Sequence, residues 1–371
     1  MELENLDYLK TEYESFVIDK NDLLKVLDLT SRITRTNSPA VTNNSITFML
    51  NWNQELVEMC TTNDLTYFRY KAQLLGDKSR GLTGSISIKV ELLNKLKGYY
   101  RDKILIYEKD DNYYIRLIDG DLLINVSRIS TNRLSFTEER QDCLINLSLN
   151  SFGKLLNSYR NMMDDYSDKW VSFDGERLSL CGINFYAQTE IKTPVMCLLS
   201  NDIDLIVKMY KNYNSDRILS IYSTNNKAKL HLVMDNIEVE ILNVISNINM
   251  NTINTLSEYL AKPSDIFTLY NMSRIMNLAL TLSDLDKDCN IKLKDDGILV
   301  ILNSKKGASD FNLITQKTND LSEEKEVLIN VNTLNKIISA FEEELGGIAL
   351  NKIYTTICTD KIKVIILNKR K

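Results

Sequence analysis

Six times along this chain a short apolar strand runs into an Asn and then into an amphipathic helix. The copies are FVIDKNDLLKVL from Phe16, SISIKVELLNKL from Ser85, INLSLNSFGKLL from Ile145, MCLLSNDIDLIV from Met196, IFTLYNMSRIMN from Ile266 and VLINVNTLNKII from Val327. The sixth column holds Asn21, Asn150, Asn201, Asn271 and Asn332, with Val90 standing in the second copy. Asn is among the best helix N-caps, because its side-chain oxygen accepts a bond from an unpaired N–H of the first turn. The column therefore predicts helix starts. A motif returning at intervals of roughly sixty residues makes the chain modular and confines it to repeat architectures.

Each opening is followed by period-two alternation broken by turn residues. The turns fall at Asp110-Asp111-Asn112, Asp119-Gly120, Asp174-Gly175, Asn225-Asn226, Asp296-Gly297 and Asp360. Asx-Gly or Asx-Asx between alternating runs is a hairpin signal. The unit is thus a strand, a helix and two or three antiparallel strands, which is an α+β fold. Within each helix the apolar residues lie on one stripe, such as Leu23, Val26 and Leu27 or Leu334, Ile337 and Ile338, the spacing of a helix lying on a sheet. One unit cannot cover both faces of its own sheet, so two units pair into a domain. Polar junctions at 131–141 and at 247–264, the latter with Pro263, give three domains at 16–135, 142–246 and 264–371. Residues 1–15 stand outside them as an N-terminal extension.

Composition removes several function classes. Only 12 Gly and 3 Pro argue against long linkers and Gly-rich phosphate loops. No apolar run approaches the roughly 18 residues that span a bilayer, and the acidic start MELENLDYLK is not a signal peptide. Six Cys at positions 60, 143, 181, 197, 289 and 358, with no CxxC pair, suit a reducing cytoplasm better than a disulfide framework or a zinc site. The single histidine, His231, lies in the alternating run KAKLHLVMD and reads as structural. The acidic clusters Asp164-Asp165, Asp284–Asp288 and Glu342–Glu344 read as solvated charge. No nucleotide loop, zincin motif or nucleophile elbow is present. We therefore expect no catalytic residue, no metal and no cofactor.

The informative polar residues are basic and sit on all six repeated helices, in a chain whose net charge is −5. They are Lys25, Arg32 and Arg35; Lys95, Lys97 and Arg101; Lys154 and Arg160; Lys208 and Lys211; Arg274; and Lys336. Surface helices carry Lys and Arg for solubility in any case. Their recurrence on every helix of an acidic chain points to a common electropositive surface that meets phosphates without reading bases.

With its six strand–helix–strands units, hairpin placement and apolar C-terminal strand, the chain resembles the β sliding clamp of bacterial DNA polymerase III over about residues 16–368. The resemblance implies three tandem clamp domains with helices lining a ring and sheets outside. It implies a head-to-tail homodimer around double-stranded DNA, serving a DNA polymerase and loaded by a partner ATPase, with no membrane contact. The basic helix residues would then face DNA. The family's partner-peptide pocket would fall on Leu180, Gly182, Phe185, Tyr186, Ile245, Ile365, Ile366 and Leu367. Here LCGINFYAQ replaces the family's polar turn, and Ile-Leu-Asn before Lys369-Arg370-Lys371 replaces its Met-Pro-Met-like ending. The subunit contact would pair Leu96 and Leu123 with Leu280 and Leu282. Asn- and Lys-rich usage with eroded motifs suggests a bacteriophage-encoded member acting in the host cytoplasm. Two other roles compete: a clamp-fold adaptor recruiting transcription or host replication proteins, and a structural repeat protein with no DNA role.

Overall fold

The computed structural model describes residues 9–34, 41–99, 101–117, 120–127, 143–163, 170–182, 184–213, 217–224, 227–234, 236–242, 265–281, 285–294, 297–304, 307–313, 316–317, 325–341 and 343–369. Every repeat is one opening strand, one helix and three further strands. Repeat 1 is β1 (Ser15–Asp19), α1 (Lys20–Leu29), β2 (Ser45–Asn51), β3 (Leu56–Thr62) and β4 (Thr66–Gln73), with a single helical turn at Val41–Asn44. Repeat 2 is β5 (Gly84–Lys89), α2 (Val90–Lys95), β6 (Lys103–Lys109), β7 (Asn112–Arg116) and β8 (Asp121–Ile124), trailed by the short β9 (Val126–Ser127). Repeat 3 is β10 (Cys143–Ser148), α3 (Leu149–Met162), β11 (Trp170–Phe173), β12 (Arg177–Cys181) and β13 (Phe185–Glu190). Repeat 4 is β14 (Met196–Leu199), α4 (Ser200–Asn212), β15 (Ile218–Thr224), β16 (Lys227–Met234) and β17 (Ile237–Leu242). Repeat 5 is β18 (Asp265–Thr268), α5 (Leu269–Thr281), β19 (Leu285–Lys294), β20 (Gly297–Ser304) and β21 (Gly307–Leu313), trailed by β22 (Gln316–Lys317). Repeat 6 is β23 (Lys325–Asn330), α6 (Val331–Ala340), β24 (Leu345–Leu350), β25 (Tyr354–Cys358) and β26 (Lys363–Leu367).

The Asn column does not cap these helices. Asn21, Asn150, Asn201 and Asn332 are each the second helical residue, and Asn271 the third. In α1 and α6 the cap lies two residues before the column: Asp19 accepts from Asn21 N at 2.7 Å, and Asn330 Oδ1 from Thr333 N at 3.1 Å. A side-chain oxygen at that position can reach the first-turn N–H groups, whereas the column itself is already inside the turn. The departure at Val90 has a counterpart: α2 is short, passes into a 3-10 turn at Leu96–Gly98, and its cap Lys89 makes no side-chain bond.

Strand exchange joins the repeats in pairs. The opening strand of each repeat pairs antiparallel with the first of the three strands of its partner. Thus β1 pairs β6 and β5 pairs β2; β10 pairs β15 and β14 pairs β11; β18 pairs β24 and β23 pairs β19. Neither member of a pair has a complete sheet alone. The last strands then join sheets from different pairs: β4 to β17 and β13 to β26. Four sheets result, two of nine strands (β10-β15-β16-β17-β4-β3-β2-β5-β9 and β14-β11-β12-β13-β26-β25-β24-β18-β22) and two of four (β1-β6-β7-β8 and β21-β20-β19-β23).

The described chain clusters into two compact units, residues 1–151 with 204–244 and residues 152–203 with 245–371. Each contains one nine-stranded and one four-stranded sheet. In the first unit Phe16 on β1 meets Phe48 on β2 at 5.8 Å, so the core of repeats 1 and 2 lies between their two sheets, with Leu23, Val26, Leu27 and Leu93 buried from the helices. In the second, Phe152 on α3 meets Phe173 on β11 at 6.0 Å, and the buried Tyr159 hydroxyl lies 3.0 Å from Thr189 Oγ1. The junctions expected at 131–141 and 247–264 lie outside the described residues.

The N-terminal extension is part of the first unit rather than outside it, at least from residue 9. Leu9 and Tyr13 pack on Val17, Leu105 and Tyr107 on the face of β1 and β6 that the core does not use. Tyr13, Tyr107 and Tyr114 stack at 5.5 and 5.4 Å, Arg116 lies 5.0 Å over Tyr107, and Arg116 Nη1 donates to Lys10 O at 2.9 Å. This covering explains why β1 is apolar on both faces, with Phe16, Val17 and Ile18 all buried.

Candidate nucleic-acid interface

The helices place every described basic residue of the expected DNA face at least partly in solvent. Lys25, Arg32, Lys95, Lys97, Arg160, Lys211 and Arg274 are exposed, and Arg101, Lys154, Lys208 and Lys336 are half-buried. Arg35 lies outside the described residues. The one-sided stripes produce this: burying Leu23, Val26 and Leu27 turns Lys25 outward, and burying Met272 and Met276 does the same for Arg274.

Several of these cations are engaged inside the chain; Lys25 Nζ lies 3.6 Å from Asp22 Oδ1 within α1, and two others reach across to a second helix. Lys208 Nζ on α4 donates to Asp28 O at 2.7 Å, Asp28 Oδ1 at 3.0 Å and Ser31 Oγ at 3.0 Å. Arg32 Nε lies 3.5 Å from Asp204 Oδ2. Both pairs link the end of α1 to α4 within the first unit.

The outward face of the first nine-stranded sheet carries a charge network that the sequence did not reveal. Glu58 on β3 faces Arg69 (3.6 Å) and Lys71 (3.9 Å) on β4. Arg69 also pairs with Glu238 on β17, and His231 Nε2 on β16 lies 2.9 Å from Glu238 Oε1. Lys229 Nζ and Glu240 Oε1, both buried, meet at 2.6 Å. Burial alone would raise the Glu238 carboxyl. Hydrogen bonds from His231 and Arg69, with the Arg69 charge, outweigh it and hold the group at about 2. Among the described residues, His231, Glu238 and Glu240 are the one group with metal-ligand spacing. Their carboxylates already face Arg69 and Lys229, so the donor set is compensated by protein cations and is poorly suited to a metal. Burial pushes the Cys60 thiol up and the Cys289 thiol to about 12, which suits inert core thiols.

The expected peptide-pocket residues come together, but as packed sheet. Phe185 pairs with Ile366 and Tyr186 with Ile365 across the β13–β26 seam, while Leu180 faces Ala187 on the β12 side. Leu180, Phe185, Tyr186, Ile365 and Ile366 are all buried, Phe185 and Tyr186 on opposite faces of the sheet, so they do not form an open pocket wall. A Cβ on Gly182 would fall 2.2 Å from the Phe185 ring, so the ring closes over the glycine. Leu367 stays exposed, and Ile245 lies outside the described residues. Open space lies at both ends of the C-terminal strand: a cavity of about 560 Å³ lined by Val327, Leu328, Lys352, Ile353 and Asn368, and one of about 690 Å³ bordered by Gln188, Glu190 and Lys363.

Of the expected subunit contact, Leu123 on β8 and Leu280 on α5 are exposed. Leu96 is buried, which corrects its placement: it follows Val90 by six, the spacing at which Leu27 and Ile338 also turn into their cores. Leu282 lies outside the described residues. No described helix is long and apolar enough to cross a membrane.

No protein-family model matches the chain, and no curated protein matches it by sequence. Solved structures do match, over nearly the whole length. A DNA polymerase III beta subunit from Eubacterium rectale superposes with a TM-score of 0.76 at 13% identity, covering 96% of this chain and 100% of its own. This chain has the fold of the bacterial DNA polymerase III sliding clamps. The Bacillus subtilis sliding clamp gives 0.75 at 11% identity, with 97% and 100% covered. A Helicobacter pylori beta clamp bound to a DNA ligase peptide gives 0.73 at 12%, with 96% and 100% covered.

Proposed function

We propose that this chain is a non-catalytic sliding clamp that closes head to tail with a second copy around duplex DNA and tethers a polymerase. The observation that carries the reading is the rule of seam pairing. The last strand of repeat 1 joins that of repeat 4, and the last strand of repeat 3 joins that of repeat 6. The same three-step rule leaves repeats 2 and 5, whose last strands, β8 and β21, end the four-stranded sheets. Pairing β8 of one copy with β21 of another would complete the series and remove both open edges. Applied twice about a two-fold axis, the contact closes. The exposed Leu123 on β8 supports this seam.

A closed ring leaves duplex DNA only by opening or by reaching an end, so it raises the polymerase's effective concentration at the primer. The outward basic residues suit contacts to phosphate that do not stop sliding. Loading calls for a partner ATPase, since the chain has no nucleotide loop. At 12% identity to solved clamps, a bacteriophage-encoded member in the host cytoplasm fits best.

The test is solution mass combined with retention on DNA. A species of twice the 42.7 kDa chain mass should form, stay on nicked circles after loading, and slide off when they are linearised. Glu at both Leu123 and Leu280 should leave monomers. A wild-type chain that stays monomeric and never associates with DNA ends the proposal. The closed β13–β26 stretch favours a variant reading, in which a changed partner set uses the cavity beside Leu328 and Ile353. Capture of transcription or host replication proteins in place of a polymerase would decide for an adaptor.

A further inference from the structure

Lys208 is a half-exposed cation on a helix expected to face DNA, yet its ammonium group has no capacity left. An ammonium carries three N–H donors. Asp28 O, Asp28 Oδ1 and Ser31 Oγ supply three acceptors, at 2.7, 3.0 and 3.0 Å. The acceptors also explain why the contact forms. Asp28 lies in the last turn of α1, which contains no basic residue of its own. A carboxylate beside the negative end of a helix dipole is unfavourable, and a cation there is stabilising. Lys208 delivers that cation from α4, 180 residues away in sequence. Just past the end of α1, Arg32 forms an ion pair in the other direction, its Nε 3.5 Å from Asp204 Oδ2 on α4. The two segments thus exchange one cation each.

We propose that Lys208 and Arg32 form a reciprocal latch between α1 and α4. They act as positioning residues that hold two helices of the basic surface at fixed spacing, and Lys208 is not a phosphate ligand. On these helices the phosphate contact then falls first to the exposed Lys211, since Lys25 already lies 3.6 Å from Asp22. This last step rests on the DNA reading above; the latch itself does not.

The experiment pairs a thermal cycle with a salt titration on the full-length protein. Lys208→Met should lower the melting temperature by about 2 °C, and Lys208→Asp by more. Lys208→Asp combined with Asp28→Lys should melt higher than either reversal alone. Binding of a short duplex oligonucleotide is followed by fluorescence anisotropy across salt concentrations. Each lost phosphate contact should reduce the slope of log K against log salt by about 0.9. Lys211→Met should show that loss and Lys208→Met should not. An unchanged melting temperature with a reduced slope for Lys208→Met would make it a phosphate ligand and overturn the latch. So would a double reversal no more stable than the sum of its parts. If the wild-type protein shows no salt-dependent duplex binding, the DNA reading falls, and the thermal cycle still decides the latch.

Discussion

The two internal seams do the same job with different chemistry. At β4–β17 the core face pairs Val239 with Phe68 and Ile237 with Tyr70, all buried, while the outer face adds charge: Arg69 faces Glu238 in register and Glu58, Lys71 and His231 surround them. At β13–β26 the paired residues are Phe185 with Ile366, Tyr186 with Ile365 and Ala187 with Val364, all buried. The ion pair seen there, Lys363 with Glu190 at 3.3 Å, is largely solvated. Backbone pairing sets the geometry at both places, so the side chains are free to differ. A seam with an outer ionic network adds a pH- and salt-dependent part, whereas a wholly apolar seam depends on close packing alone.

The largest expected effect comes from opening the apolar seam. Ile366→Ala should cost about 2–5 kcal/mol, through lost burial and the cavity left behind. Urea denaturation should show that loss equally at low and high salt; a loss that fades with salt would mean the seam is not held by packing. Next comes Arg69→Ala, which leaves Glu58 on β3 and Glu238 on β17, on the two sides of β4, without their shared cation. A lost bond to a charged, half-buried group costs about 1.5–3 kcal/mol, and here the difference from wild type should shrink in high salt.

The third expectation separates the seams by pH. In the folded chain the Glu238 carboxyl sits at about 2 against an ordinary 4.5. A depressed value means the stabilisation is fully present above 4.5 and is lost as pH falls from there through 2. Glu238→Gln should be less stable than wild type at pH 7, by about 1–2 kcal/mol once solvent screening is allowed for. The gap should close on acidification across that window. Ile366→Ala should keep the wild-type pH profile. Parallel profiles for wild type and Glu238→Gln would remove the carboxylate from the account.

What the sequence made legible was what depends on neighbours along the chain. The repeats, the hairpin at Asp110-Asp111, where both residues adopt positive φ, and the outward cations all follow from periods of two and 3.6. The seams were not legible, because Arg69 and Glu238 are 169 residues apart and nothing local marks them as partners. Lys208 looked like any surface lysine for the same reason. Leu180 and Ile366 stayed ambiguous for a different reason: an apolar strand residue carries the same signal whether it lines a pocket or fills a core. Leu96 was an avoidable miss, since its place on the helix stripe already pointed inward.

The smallest effect is the sharpest test of the contrast. Lys363 and Glu190 flank the apolar seam as Arg69 and Glu238 flank the ionic one, and both pairs join long side chains on strands. The difference is solvent: Lys363 and Glu190 are 48% and 76% exposed, against 23% and 18% for Arg69 and Glu238. Exposed pairs contribute between nothing and about 1 kcal/mol, because water screens the attraction and ordering two flexible chains offsets it. Lys363→Ala should therefore change the urea midpoint by no more than the error of measurement, at any pH from 4 to 8. A loss comparable to that of Arg69→Ala would show that charge holds this seam as well, and the distinction between the two would collapse.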